Sequence, residues 1–269
     1  MKDSPVVFIT GATSGIGAAC AKYLANAGLT IYGGGRRIKK ETTTGEKVTL
    51  LPLDVNEDES VQSAVNTVIE REDRLDVVIN NAGFGLSGPL ESTTVEEAKS
   101  QFETNFFGVH RVNRAVLPQF HKQGSGRIII VSSIGGRIGL PYQGMYSAAK
   151  FALEGYAEAL SMELKADKVP ILLIEPGDFA TGFTDVREFT SKSKEGDSAF
   201  EKARDTFQKD ERGGKDPELI AKTLLKYIRK KRWPRRRMVG AWDQKLAVHM
   251  RPLMPDSWFE MIIRSHYFG

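Results

Sequence analysis

Three side chains in the stretch SSIGGRIGLPYQGMYSAAK, residues 132–150, have the types and spacing for acid–base chemistry on a carbonyl. They are Ser133, Tyr146 thirteen residues later and Lys150 four beyond that. Residues four apart on an α-helix lie one above the other on one face, so Tyr146 and Lys150 can present a phenol and an ammonium to the same ligand. The ammonium favours the phenolate by opposite-charge stabilisation. A phenol lowered in this way gives a proton to a carbonyl oxygen or takes one from an alcohol. Ser133 arrives from the end of the apolar run IIIV and can hydrogen-bond the same oxygen. A Tyr-x-x-x-Lys arises readily by chance in a chain with seven tyrosines, so the pair gains meaning only from the elements that position it.

Those elements alternate strand and helix. PVVFIT, residues 5–10, reads as a strand buried on both faces, followed at once by GATSGIG and a helix ending at Gly28. Strand, glycine loop and helix in this order form a dinucleotide-site pattern, in which free N–H groups and the helix dipole hold a pyrophosphate. Here the spacing is Gly11-x-x-x-Gly15-x-Gly17, wider than G-x-G-x-x-G. The second strand, LTIYGGG, runs straight into Arg36 and Arg37. A carboxylate at that point would bond a ribose 2′-hydroxyl, whereas arginine accommodates a 2′-phosphate, so NADP(H) is expected over NAD(H).

The polar segment IKKETTTGEKV leaves little room for a helix before the strand VTLLPLDV, which ends at Asp54 and Val55. Asp54 either reaches an adenine amino group or, with Asn56, caps the following helix. RLDVVINNAG forms a further strand closing on Asn80, Asn81, Ala82 and Gly83, where asparagine amides can brace neighbouring strands. Two consecutive helical patterns follow, and Asn105 within TNFFGV reads as a satisfied buried amide. RIIIVSS delivers Ser133, the helix over 143–166 carries Tyr146 and Lys150, and VPILLIEPG ends with Pro176 and Gly177. Beyond Thr181 the chain turns polar, as expected of a binding loop or lid over about 183–216. A helix over 217–231, a strand around MVG and two amphipathic segments in an extension over about 241–269 complete it. The pattern predicts an α/β fold: one doubly wound parallel sheet, a single Rossmann-type domain.

Composition narrows the function. Of 269 residues 41% are hydrophobic and 27% charged, a globular balance. Apolar runs fall far short of a membrane span, and the N-terminus reads as a strand, not a signal peptide. A lone cysteine, Cys20, suits a reducing cytoplasm, and the four histidines show no metal-ligand spacing, so no metal is expected. The net charge of +4 gathers in KYIRKKRWPRRR, residues 226–237. That run reads as a solvated helix end leading into a strand; peripheral contact with a membrane is the secondary reading, and nucleic acid is not expected.

In family order the motifs TGATSGIG, LDV, NNAG, Ser133 with YSAAK, and EPGDFAT make the whole chain resemble the short-chain dehydrogenases/reductases. The resemblance implies Tyr146 as catalytic acid/base, Ser133 as stabiliser of the substrate oxygen, and Lys150 binding the nicotinamide ribose while lowering the tyrosine pKa. It implies that Asn105 completes a tetrad by holding a water. Gly11, Thr13, Ser14, Gly15, Ile16 and Gly17 would line the pyrophosphate and adenosine ribose, with Asp54 and Val55 at adenine and Asn81, Ala82 and Gly83 beside the cofactor. Pro176, Gly177, Phe179 and Thr181 would meet the nicotinamide.

FALEGYAEALSMEL and the C-terminal segment are similar to the subgroup holding hydroxysteroid dehydrogenases of the 17β type. This implies a lipophilic ketone or secondary alcohol, such as a steroid or fatty ketone, as substrate. A smaller ketone or 3-oxoacyl thioester is the alternative, and a non-catalytic NADP(H) sensor the alternative from another class. The C-terminal aromatics and methionines, with Leu140, Pro141 and Tyr142, either line an apolar cleft or form core or a dimer face. Relatives pair into homodimers or homotetramers through the helices carrying Asn105 and Tyr146.

Overall fold

Val6–Thr10 forms the central strand β1, because VVFIT offers β-branched and aromatic side chains to both faces of a sheet; all five residues are buried. The computed structural model describes residues 4–44, 48–191 and 197–269. After β1 come α1 (Gly15–Asn26), β2 (Thr30–Gly35), β3 (Thr42–Thr44), β4 (Val48–Pro52), α2 (Asp58–Glu72), β5 (Val77–Asn80) and β6 (Leu86–Ser87). Then follow α3 (Val95–Phe102), α4 (Gly108–Gln123), β7 (Ile128–Val131), α5 (Gly144–Glu163), β8 (Ile171–Pro176) and β9 (Glu188–Phe189). The chain finishes with α6 (Ser198–Arg212), α7 (Glu218–Ile228), β10 (Arg236–Val239), α8 (Trp242–Met250) and α9 (Asp256–Phe268).

The main sheet has the order β10-β8-β7-β5-β1-β2-β4-β3. All its pairings are parallel except β3 against β4. Alternating side chains feed two cores. Val6, Phe8, Ile128 and Ile130 face α2, α4 and α5, whereas Val7, Ile9, Ile129 and Val131 face α1 and α7. From β1 the chain winds outward through β2 in one direction and through β5 in the other. The carboxyl ends of these strands therefore open a crevice at the point of reversal.

Several elements depart from the sequence reading. The polar segment after Arg37 holds the antiparallel strand β3, while residues 45–47 of it lie outside the described residues. The stretch over 183–216 is not only a loop: it contributes β9, which pairs in parallel with β6 as a separate two-stranded ladder, and α6. Residues 192–196 of that stretch lie outside the described residues. The basic run leads from the end of α7 into β10, and three of its arginines are engaged: Arg229 donates to the Ala27 carbonyl, Arg235 and Arg236 pair with Glu158, and Arg236 also with Glu154. Among the described residues no helix is long and apolar enough to cross a membrane, and no group of metal-ligating side chains occurs.

The C-terminal extension divides its apolar residues between two tasks. Val248 and Phe259 pack with Ile138 from the loop after β7, and Tyr267 packs with Ala203 and Phe207 of α6. Trp242 and Trp258 instead point outward, 74% and 62% exposed. They do not line the cleft that one reading of the sequence gave them.

Candidate active site

The crevice is a cavity of about 800 Å³ whose lining runs from Gly11 at one end to Tyr267 at the other. At the first end the loop after β1 is held open by three devices. Gly11 and Gly15 adopt left-handed backbone, φ 68° and 54°, which strains any residue bearing a Cβ. Thr10 Oγ1 accepts from the N–H groups of Asn81 and Ala82, both at 3.0 Å. Asn81 Nδ2 donates back to the Thr10 and Gly11 carbonyls at 3.0 and 3.1 Å. The asparagine thus braces β5 to the loop, as its amide allows.

Gly11, Thr13, Ser14, Gly15, Ile16, Arg36, Arg37, Asp54, Val55, Asn81, Ala82 and Gly83 all line this end. Gly17 does not. It is buried behind the loop, where a Cβ would come 2.2 Å from the Gly11 carbonyl oxygen and 2.5 Å from Asn81 Nδ2. Its lack of a side chain permits the close packing of helix against loop. Neither Asp54 nor Asn56 caps α2, whose N-cap is Glu57. Asp54 Oδ1 accepts the Asn56 N–H at 3.0 Å and so shapes the turn that precedes the helix. Arg36 and Arg37 are exposed at the cavity rim, with no hydrogen bond or ion pair among the described residues.

The middle of the cavity brings Ser133, Tyr146 and Lys150 together. Lys150 Nζ lies 5.7 Å from the centre of the Tyr146 ring and donates to the Val131 carbonyl at 2.8 Å. Ser133 Oγ accepts the Gly135 N–H at 3.0 Å and lies near enough to the Tyr146 hydroxyl to favour its ionisation. Burial pushes the Tyr146 phenol up; hydrogen bonding to Ser133 and the charge of Arg187 oppose it and are outweighed. The net direction is opposite to the lowering expected from Lys150. The lysine is itself buried, and its amine is pulled down to about 8, with Glu154 opposing.

Asn105 sits in a π-helical turn, Glu103–Phe107, between α3 and α4. Its Oδ1 accepts the Phe84 N–H at 3.0 Å and its Nδ2 donates to the Phe84 carbonyl at 2.9 Å. This matches the satisfied amide read from the residues themselves. One amide hydrogen remains for the water that the family resemblance assigns to it.

Pro176, Gly177, Phe179 and Thr181 line the cavity beyond β8. A Cβ on Gly15 would lie only 3.6 Å from the Thr181 side chain, so this segment closes over the glycine loop. Past it stand Leu140, which the sequence reading set beside an apolar cleft, and groups that it did not single out. Ile138, Leu140, Phe183, Phe207, Ile263 and Tyr267 give apolar walls, and Asp178, Arg187 and Glu211 are polar. Burial, then the charges of Glu211 and Asp210, push the Asp178 carboxyl up to about 6, against a hydrogen bond from Gln244. Arg187 Nη2 pairs with Glu211, and its side chain is wholly buried. For Arg187 and Glu211 the one sequence signal was a polar stretch after Thr181.

A family model described as short chain dehydrogenase matches residues 5–191. The chain belongs to the short-chain dehydrogenase family. It is 41% identical over 265 residues to a 3-ketodihydrosphingosine reductase of Bacteroides thetaiotaomicron, covering 97% of each chain. It is 36% identical over 261 residues to retinol dehydrogenase 8 of Bos taurus, covering 88% of this chain and 82% of that one. An alcohol dehydrogenase of Thermococcus sibiricus, solved with 5-hydroxy-NADP, superimposes with a TM-score of 0.72 at 27% identity, covering 89% of this chain and 97% of that one.

This short-chain dehydrogenase is therefore an oxidoreductase acting between an alcohol and a ketone, of a family that binds nicotinamide cofactors. The loop end fits such a cofactor. Left-handed glycines bare the backbone there, and two guanidinium groups, unpaired among the described residues, stand at the rim.

Proposed function

We propose that this short-chain dehydrogenase interconverts a lipophilic ketone, a fatty or steroid-like ketone, and its secondary alcohol with NADP(H). One observation carries the reading. Ser133, Tyr146 and Lys150 lie where the glycine-loop half of the cavity meets its apolar half, so a bound dinucleotide and a hydrocarbon would meet beside the phenol. Arg36 and Arg37, with no carboxylate at the end of β2, support NADP(H). The named activities of the two relatives, on 3-ketodihydrosphingosine and on retinol, support a lipophilic substrate.

When bound, NADPH supplies hydride to the carbonyl carbon. The chain's own groups handle the oxygen. Tyr146 gives its proton to the carbonyl oxygen, and its raised pKa keeps that proton in place at neutral pH. Ser133 fixes the same oxygen by hydrogen bond. Lys150 supplies positive charge beside the phenol once the proton has left, and Asn105 holds a water that restores the proton. In the alcohol-to-ketone direction the same phenol accepts the proton. Residues 183–191 and 197–216 form the lid, residues 241–269 the outer wall, and the chain pairs as a homo-oligomer through α4 and α5.

The test is NADPH oxidation with long-chain 3-ketones, steroids, 3-oxoacyl thioesters and simple ketones. Long-chain or steroid ketones are expected to show kcat/KM at least tenfold above simple ketones. A preference for the thioesters would overturn the substrate assignment. Tyr146→Phe is expected to lower kcat by about a thousandfold, the scale of a lost general acid, with NADPH affinity unchanged. Retained turnover would overturn the role of the phenol.

A further inference from the structure

Arg187 is the one arginine whose side chain is wholly buried in the cavity wall among the described residues. A buried guanidinium costs several kcal/mol to desolvate unless its donors are well used, and these are used in a directed way. Nη1 donates to Gln143 Oε1 at 2.8 Å and to Ser87 Oγ at 3.0 Å, and Nη2 donates to Glu211. The guanidinium carbon stacks on two rings, 5.1 Å from the centre of Phe183 and 4.7 Å from that of Phe207. Nε is buried without a hydrogen-bond partner among the described residues. One side chain thus joins β6, the strand-bearing segment around β9, α6 and the N-cap of the catalytic helix, since Gln143 is the residue that caps α5.

Both routes from Arg187 lead to Tyr146. Gln143 stands three residues before it at the entry of α5, so fixing the amide fixes the first turn that carries the phenol. Phe183, stacked on the guanidinium, also packs against the Tyr146 ring, with centroids 6.0 Å apart. We infer that Arg187 is a positioning residue for the acid–base step: through Gln143 and Phe183 it sets the orientation of Tyr146 and supplies a second positive charge opposite Lys150. The inference rests on Tyr146 being the acid/base of the proposed reaction. The charged and polar groups that face the phenol are Ser133 from the loop after β7, Lys150 from its own helix, Arg187 from the segment before β9, Glu211 from α6 and Asp178 from the segment after β8. Ser133 and Arg187 ease loss of the proton; Glu211 and Asp178 resist it.

The test compares wild type with Arg187→Lys, Arg187→Met, Glu211→Gln and the double variant Arg187→Met with Glu211→Gln, which removes the stranded carboxylate. Tyr146 is titrated directly by NMR of ring-labelled tyrosine, its signal assigned through Tyr146→Phe. Turnover in the alcohol-to-ketone direction with NADP⁺ is measured against pH. The phenol is expected to titrate at higher pH in Arg187→Met than in wild type, with turnover at pH 8 down about fivefold, in line with loss of one nearby opposite charge, and higher in the double variant than in Glu211→Gln alone, since the carboxylate itself resists ionisation of the phenol. Arg187→Lys should restore most of the titration shift. A phenol titration unmoved in Arg187→Met, or no higher in the double variant than in Glu211→Gln alone, with only thermal stability lost, would overturn the inference and leave Arg187 as scaffold. The titration needs no turnover, so a failure of the proposed reaction shows separately, as activity surviving Tyr146→Phe.

Discussion

At the scale of single residues, burial sets the titration of the site more than pairing does. Tyr146 is raised and Lys150 lowered for one reason, the cost of charge in a low-dielectric pocket. Asp178 follows the same rule and gives a measurable consequence. Its folded pKa, about 6, lies above the ordinary value of 3.8, so between those values the folded chain holds a proton that the unfolded chain has lost. Its contribution to stability is thus greatest at low pH and is lost as pH rises through about 6. Asp178→Asn should therefore stabilise the protein, by roughly 1 kcal/mol more at pH 8 than at pH 5 at 1.36 kcal/mol per unit; denaturant melts at the two pH values measure this.

At the other end of the cavity, Arg36→Ala with Arg37→Ala should raise the Kd for NADPH about tenfold or more and leave that for NADH nearly unchanged, as read by fluorescence titration. Tyr146 and Lys150 were legible in the sequence because four-residue spacing is a local property. Arg187 and Glu211 were not, because they are 24 positions apart and meet only through the packing of α6.

At the scale of elements, the glycine loop is a packing device as much as a ligand cradle. Gly17→Ala would drive a methyl into the Gly11 carbonyl and Asn81. The expected cost is about 3 kcal/mol, the upper range of overpacking, together with lost NADPH binding. Gly28→Ala has nothing within 4 Å of the new methyl and carries only the strain of φ 97°. It should cost about 1 kcal/mol and leave binding intact. Calorimetry beside a binding titration separates the two. Further on, a capping box in which Thr94 and Glu97 bond reciprocally starts α3, so Thr94→Ala should cost about 1 kcal/mol.

Strand and helix order was readable from apolar runs bounded by glycine and proline. The π-turn at Asn105 was not, since TNFFGV continues a helical pattern and only the pull of the Phe84 backbone on the amide distinguishes it. β3, β6 and β9 are two or three residues long, too short for a period of two to register.

For the whole molecule, the doubly wound sheet was legible because buried parallel strands demand continuous apolar sequence, and RIIIV and VPILLI have little else to do. The course of the C-terminal extension was not. Its amphipathic residues fit several faces equally well, and the choice is made by Ile138 and Phe207, which offer their apolar surface to Val248, Phe259 and Tyr267. Phe107 and Phe151, on the π-turn before α4 and on α5, remain 45% and 46% exposed. They are the apolar surface that pairing through these helices would cover. Phe151→Glu is accordingly expected to shift light-scattering mass to that of a single chain at micromolar concentration, with the circular dichroism spectrum unchanged; an unaltered mass would place the pairing surface elsewhere.

Consider, finally, the order in which the cavity's walls leave the ribosome. Everything that lines the dinucleotide end has been synthesised by Thr181, whereas the far wall awaits Ile263 and Tyr267. The dinucleotide lining is thus complete along the chain some eighty residues before the lining of the far end, although α7, which backs β1, comes only at Glu218–Ile228.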